Sequence, residues 1–378
     1  MEYDIVVIGA GASGLMFASQ VKNKKIAIIE SNPKIGQKIK ISGGAKCNIT
    51  NENVSFKNYL GDKEFVKNSL DFFSNKDLLN FLNKNGVYPK VNPKIVKGTY
   101  FCNSSSDVID MFTKLTSHTK KFLNTKVLDV RYDKEFLINT SKGVFKAKNL
   151  VVASGGLSYA SVGASPIAYD IAKEFGHEII PTKPALVGFT VQKEQFWFKK
   201  LSGISCEVDI KVDEKKFNGK LLFAHKGCSG PAVLNASLYW QKGKITIDFM
   251  PKKKLEPLLK GNKNISTALP LPKRFMQEFL DSIELEDKPV SKLSNEEKDK
   301  LKTIKNYEFS PAGTFGYTKA EVTSGGIDTE FIDKDSFESK HQKNLYFLGE
   351  CLEPTGELGG YNFQLYFSQA YLCASSFN

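Results

Sequence analysis

The chain opens with a strand, a glycine turn, a helix, a second strand and an acid, and few folds accept that order. Asp4-Ile-Val-Val-Ile8 is short, apolar and β-branched, the pattern of a buried strand. Gly9-Ala10-Gly11-Ala12-Ser13-Gly14 follows without a break. Leu15 to Lys22 has helical character, and Lys25-Ile-Ala-Ile-Ile29 is a second strand that ends at Glu30. Each part has a physical task. Gly9 permits the tight turn, Gly11 lets the backbone approach a pyrophosphate, and Gly14 lets helix and strand pack closely. The helix N-terminus offers free N–H groups and the positive end of its dipole. Glu30 lies 21 residues after Gly9, where a carboxylate accepts ribose hydroxyls. The acid also disfavours a 2′-phosphate, and so NADP, at this position. A lone glycine motif is weak; strand, helix and acid in register make it a dinucleotide site.

The rest of the chain decides which dinucleotide. An NAD dehydrogenase continues as an uninterrupted α/β domain. Here Glu30 is followed by a loop that includes Ser42-Gly43-Gly44-Ala-Lys46-Cys47-Asn48-Ile-Thr50-Asn51. Its glycines and short polar side chains expose backbone donors to a second ligand surface. Helices are expected over Phe65 to Phe73, Asp77 to Asn83 and Asp107 to Thr119, the last with Ser106 as N-cap. Strands are expected at Lys126 to Val130, with Val127 counted in the cofactor site, and at Glu135 to Thr140. Lys148 to Gly156 is a strand running into a second glycine turn at Ala153-Ser154-Gly155. At the far end, Asn344-Leu-Tyr-Phe-Leu-Gly349-Glu350 is a strand ending in glycine and acid. Thr355 to Gln364, with Gly359, Gly360, Tyr361 and Asn362, then opens a helix from about Asn362 to Ser376. A carboxylate at Glu350 can hold a ribityl hydroxyl, and the helix N-terminus can face a flavin pyrimidine. Two turns and a second acid suit a long ligand, FAD. A nucleotide domain that starts at one end of the chain and finishes at the other must hold an insertion between.

Bulk properties set bounds. With 378 residues the chain exceeds one typical domain. Its six cysteines are scattered and form no CxxC, which fits a reducing compartment and gives no zinc signature. No signal peptide and no apolar run near the roughly 18 residues of a membrane span is visible, so a cytoplasmic protein without a membrane partner is expected. The net charge of +12 has two readings: solvated lysine over the whole surface, or a basic face for RNA. Only Arg131 and Arg274 among the 53 basic residues are arginine, the better residue for bidentate phosphate contacts.

The motifs resemble the BaiN/RdsA-type family of conserved flavoproteins. The matching pieces are Val7 to Gly14, Ser42 to Asn51, Ala153 to Tyr159, Phe223 to Leu234, Ala320 to Ile327, Phe337 to Lys340 and Gly349 to Gln364, so the resemblance spans nearly the whole chain. Lys46 stands where the family usually has arginine, and Cys228 where it often has leucine. The resemblance implies an α/β fold: a two-part Rossmann-like FAD domain (1–185 and 319–378) interrupted by a β-barrel-like domain (186–255 and 305–318) that carries a helical sub-insertion (256–304). It implies FAD as cofactor and NADH or NADPH as the small-molecule electron donor. It implies reduction of an electron-poor C=C bond, on a uridine of 23S ribosomal RNA or on a small-molecule enone. An amine oxidase, and an RNA-binding protein with structural FAD, are the rival readings. The inserted region agrees, with alternating strands at Ala185 to Val191, Cys206 to Val212, Lys220 to His225 and Lys244 to Phe249. Helices are expected from Pro272 to Ile283 and Asn295 to Ile304, with Ser294 and Glu297 as a capping box.

Such a reaction needs one proton delivered to the carbon alpha to a carbonyl. Cys47 is the first candidate, against the alternative of a small buried cysteine. His225 is the second, against an ordinary turn histidine; Tyr361 and Tyr159 are further hydroxyl donors. The four histidines are isolated in sequence, and no metal motif is present.

Overall fold

The protein is described from a computed structural model, over residues 1–92 and 96–377. The chain forms two units, Met1–Pro184 with Glu321–Asn378, and Ala185–Ala320.

In the first unit, β-branched runs with no polar face have to be buried on both sides, and they form parallel strands. Lys120–Phe122, Ile26–Ile29, Glu2–Ile8 and Gly143–Val152 lie side by side, all parallel, and Leu345–Phe347 adds to the far half of Gly143–Val152. The near half of Gly143–Val152 instead runs antiparallel to Glu135–Thr140, which pairs with Val127–Asp133. Helix Ala12–Gln20 and the last helix, Tyr361–Ser375, pack together beside this sheet. The last helix also meets the short strand Asn48–Asn51.

Three further helices are set by their caps. Asp62 accepts the N–H groups of Glu64 and Phe65 at the start of Lys63–Phe72. Ser74 and Asp77 form a capping box for Asn75–Lys84. For Ser105–Leu115 the cap is Ser104, not the Ser106 expected from sequence, because Asp107 at the third position can then bond back to the Ser104 N–H. The last helix begins at Tyr361, one residue before the expectation.

The second unit is a seven-stranded antiparallel, barrel-like sheet in the order Tyr307–Phe309, Ile245–Asp248, Ser205–Val212, Lys215–Ala224, Gly227–Ser229, Phe189–Val191, Pro311–Thr314. Its core is aromatic: Trp197, Phe198, Phe223, Phe249, Phe275, Phe279 and Phe309 are buried together. Helices Lys273–Ser282 and Asn295–Lys302 belong to this unit, and Ser294 with Glu297 forms the expected capping box. The single strand expected from Ala185 to Val191 is broken. Leu186 adopts a left-handed φ of 50°, so one strand ends at Ala185 and the next begins at Phe189. The α/β Rossmann-type unit and the antiparallel sheet together are the fold class expected from sequence. No helix among the described residues is long and apolar enough to cross a membrane.

Gly9 has φ +105°, and a Cβ there would come within 2.4 Å of the Ala153 carbonyl oxygen. Gly9→Ala is therefore expected to cost about 1–3 kcal/mol in a urea melt, the usual range for overpacking against backbone that cannot yield. A second prediction concerns His177, buried against Phe347 and His341, with Nε2 within 2.7 Å of the Ser339 hydroxyl and Nδ1 unpartnered. Burial, and after it the neighbouring His341, pushes its pKa down to about 4. Between pH 6.5 and 4 the unfolded chain binds the extra proton, so stability falls as pH drops through that window. The melting temperature should fall less between pH 7 and pH 5 in His177→Gln than in the wild type.

Candidate functional site

Strand register puts the site in place. Ile8 is level with Ile29 on one side and Val152 on the other, and Val152 is level with Phe347. Four parallel strands therefore end in one row. The residues just past them, Gly9, Glu30, Ala153 and Leu348–Glu350, come together although they come from separate parts of the chain. The carboxyl ends of parallel strands are where open α/β sheets bind ligands.

Glu30 is buried and clamps the first two turns. Its Oε2 accepts the Ala10 N–H at 2.8 Å, while Oε1 accepts the Asn32 N–H and the Asn32 side-chain amide, each at 2.8 Å. Sequence reasoning took the acid only as a ribose acceptor and missed this tie to the glycine turn. Val127 opens its strand two residues after Thr125, whose N–H bonds to the Glu30 carbonyl oxygen at 2.9 Å. Helix Ala12–Gln20 starts with Gly11 as N-cap and no side chain capping it.

The far end of the chain closes on these turns. A Cβ at Gly349, with φ +82°, would meet the Ser13 hydroxyl oxygen at 2.3 Å, so the two loops touch backbone to side chain. The Gly349 N–H donates to Gln369 Oε1 at 3.0 Å. Asn362 holds Thr355–Gly360 in shape: Oδ1 accepts the Gly356 N–H at 2.8 Å and Nδ2 donates to the Gly356 carbonyl at 2.9 Å. The Asn51 amide reaches the Gly359 carbonyl oxygen at 3.0 Å, and Thr50 donates to Gln364 Oε1 at 2.5 Å. The Ser42–Ala45 turn, with Gly43 and Gly44, is closed by the Cys47 N–H on the Ser42 carbonyl at 3.1 Å. Thus the blocks around residues 9–14, 42–51, 153–155 and 349–362 form one neighbourhood.

The profile of the HI0933-like protein Rossmann domain family matches residues 3–376. The chain belongs to the HI0933-like family. A ribosomal RNA dihydrouridine synthase of Haemophilus influenzae is 36% identical, the match covering 98% of this chain and 97% of that protein. A 3-dehydro-bile acid delta(4,6)-reductase of Clostridium scindens is 27% identical, with 97% of each chain covered. Among solved structures, 3-ketosteroid delta1-dehydrogenase from Sterolibacterium denitrificans has a TM-score of 0.51 at 10% identity, covering 100% of this chain and 99% of that one, a likeness of fold. This HI0933-like chain thus has the FAD-binding Rossmann-type fold of flavin oxidoreductases.

The residues present fit the cofactor. Ser154 Oγ is buried without a hydrogen-bond partner, next to the turn that Gly9 packs on. An orphaned hydroxyl is costly unless a ligand completes it. Gly11 and Gly155 face open space, where an added Cβ would meet nothing within 4 Å. These positions, with the uncapped helix start, offer donors for phosphates.

A polar cluster that the sequence did not announce lies at the same end. Lys38 Nζ meets Glu350 Oε2 at 2.5 Å. Glu350 Oε1 accepts the Thr323 N–H at 3.0 Å. Thr323 Oγ1 in turn accepts the N–H groups of Leu157 and Ser158, at 2.8 and 3.1 Å, and so fixes the loop after the second glycine turn. Lys38 carried no sequence signal; Thr323 sat inside the Ala320 to Ile327 motif without a role.

The candidate proton donors differ in setting. Cys47 is fully buried, and its thiol is pushed well above the ordinary range, first by its contact with Cys102 and then by burial. Lys46 beside it is exposed, while Asn48 is half-buried at the start of its strand. His225 lies exposed in the turn between Lys215–Ala224 and Gly227–Ser229, in the second unit. Tyr361 is buried, and its phenol is pushed up to about 12 by burial and then by Glu357. Tyr159 is half-buried in a left-handed backbone conformation, φ 64°. All six cysteines are free thiols, and no cluster of His, Cys, Asp or Glu among the described residues could hold a metal.

If the cofactor completes Ser154 Oγ, Ser154→Ala should weaken FAD binding about fivefold, the equivalent of roughly 1 kcal/mol for one hydrogen bond. The same change should leave apoprotein stability level or raised. Fluorescence titration with FAD and an apoprotein melt read the two effects separately.

Proposed function

We propose that this chain reduces an electron-poor C=C bond, that its substrate is a uridine of 23S ribosomal RNA, and that NADH or NADPH supplies the electrons. The observation that carries the reading is the end-to-end match to a relative whose name states ribosomal RNA dihydrouridine synthesis, on a fold that binds FAD. Gly9 to Gly14 and Glu30 would hold the adenosine and pyrophosphate side. Ser42 to Asn48, Ala153 to Gly155, Gly349, Glu350 and Gly359 to Asn362 would hold the flavin side. When bound, FAD supplies the hydride that a saturated pyrimidine ring requires. The chain's own task is to seat the uracil, to donate hydrogen bonds to its carbonyl as negative charge develops, and to deliver one proton. The lysine excess supports a polyanionic substrate, whose binding would weaken steeply with salt.

The bile-acid relative favours a second reading, reduction of a small-molecule enone, because an enone and a uracil share the polarised C=C–C=O unit. Nucleoside analysis separates the two. Ribosomal RNA from a strain lacking the gene should lose dihydrouridine, and the wild-type copy should restore it. Unchanged dihydrouridine in the deleted strain would overturn the RNA reading in favour of the small molecule.

A further inference from the structure

Cys47 lies just before the strand Asn48–Asn51, and Cys102 just after the strand Thr99–Phe101. The two strands are antiparallel, with Asn48 level with Phe101, so one step further on Cys47 stands across from Cys102. The backbone closes that step: the Cys102 N–H is shared between the carbonyls of Lys46 at 2.8 Å and Cys47 at 3.3 Å. Residues opposed in an antiparallel pair have Cα atoms about 4.5–5.5 Å apart, within the roughly 4.4–6.8 Å that a disulfide spans. The side chains turn toward each other, and the two thiols are in contact. Both are buried and free. The other four cysteines are placed differently. Cys206 is level with Leu221 and Cys228 with Phe223, on opposite sides of the strand Lys215–Ala224. Cys351 turns its thiol to the Leu348 carbonyl at 3.3 Å, and Cys373 lies in the last helix.

We infer that Cys47 and Cys102 are a second redox centre, a dithiol that closes to a disulfide and pins the Ser42–Ala45 turn to the strand Thr99–Phe101. This centre is independent of which substrate the reductase takes. Its oxidant is a hydroperoxide. Reduced flavin left without substrate passes its electrons to oxygen and yields hydrogen peroxide, so a flavin oxidoreductase makes this oxidant itself. In the first step one of the two sulfurs, having lost its proton to water, attacks the peroxide. An S–O bond forms, the O–O bond breaks, and the departing hydroxide takes up that proton as water. In the second step the other sulfur attacks the sulfenic acid. The S–S bond forms, the S–O bond breaks, and the hydroxide leaves with the second thiol's proton as another water. Each sulfur gives up one electron and each peroxide oxygen gains one. The Cys102 contact, and then burial, hold the Cys47 thiol well above the ordinary range, which slows the first step. The second step joins sulfurs that already touch, so it outruns further oxidation to an irreversible acid.

The test treats the FAD-loaded protein with hydrogen peroxide and stops the reaction with catalase. Free thiols counted in denaturant should fall by two, from six to four, and dithiothreitol should restore them. Mass spectrometry of an unreduced digest should find the Cys47 and Cys102 peptides joined, with the loss of two hydrogens. The oxidised protein should melt at a higher temperature than the reduced one, because a link between distant residues shrinks the unfolded ensemble. Cys102→Ser should form no such link and should show no rise in melting temperature after peroxide. Its uptake of FAD, read from flavin absorbance, shows that the variant folds. A wild type that keeps all six thiols through the treatment, or that joins a different pair, overturns the redox centre. A joined pair without a rise in melting temperature overturns the pinning of the turn.

Discussion

Gly9 stands where backbone meets backbone. Its Cα faces the Ala153 carbonyl so closely that no side chain fits between, and the two turns at the ends of Glu2–Ile8 and Gly143–Val152 are therefore in contact. Parallel pairing carries that contact outward, since Ile29 and Phe347 end level with Ile8 and Val152. Had any of these strands slipped by one residue, its side chains would face the opposite way and its turn would miss the row. The neighbourhood at the strand ends is thus a product of register before it is a product of any side chain.

The second support is polar and buried. Gln364 and Ser368 lie inside the last helix at 0% exposure, a costly place for polar groups unless all are bonded. They are: Gln364 accepts from Thr50 and donates to the Phe73 carbonyl at 3.2 Å, and Ser368 donates to the same carbonyl at 2.7 Å. A hydrogen bond is directional where apolar contact is not. These bonds set the rotation of the helix against Asn48–Asn51, and with it the position of Gly359 and Gly360.

Much of the fold was legible because its signals were local. The glycine turn with its flanking β-branched strands, the Glu30 and Glu350 acids at strand ends, and the Ser294–Glu297 capping box all depend on residues within a few positions of each other. Contacts between distant residues were not legible. Nothing in the spacing announces that Lys38 meets Glu350, 312 positions away, or that Thr323 holds the loop after Gly155. The break at Leu186 was hidden because an apolar run looks alike whether it continues as one strand or turns through a left-handed residue. The Ser104 cap was missed among three consecutive serines, where only the position of Asp107 distinguishes the register.

The arrangement of the chain also bears on when the parallel sheet can be completed. The glycine turn and first acid emerge early in synthesis, and Glu350, Gly359 and the helix Tyr361–Ser375 follow only after the whole antiparallel unit. The N-terminal strands by themselves lack the last member of the row, and the antiparallel unit is synthesised while that edge is still open. A nascent chain on the ribosome is for most of its synthesis a partial Rossmann sheet with one edge unfilled between Val152 and the strand still to come. The four-strand row is thus complete only once Leu345–Phe347 has paired with the far half of Gly143–Val152, long after its first member was made.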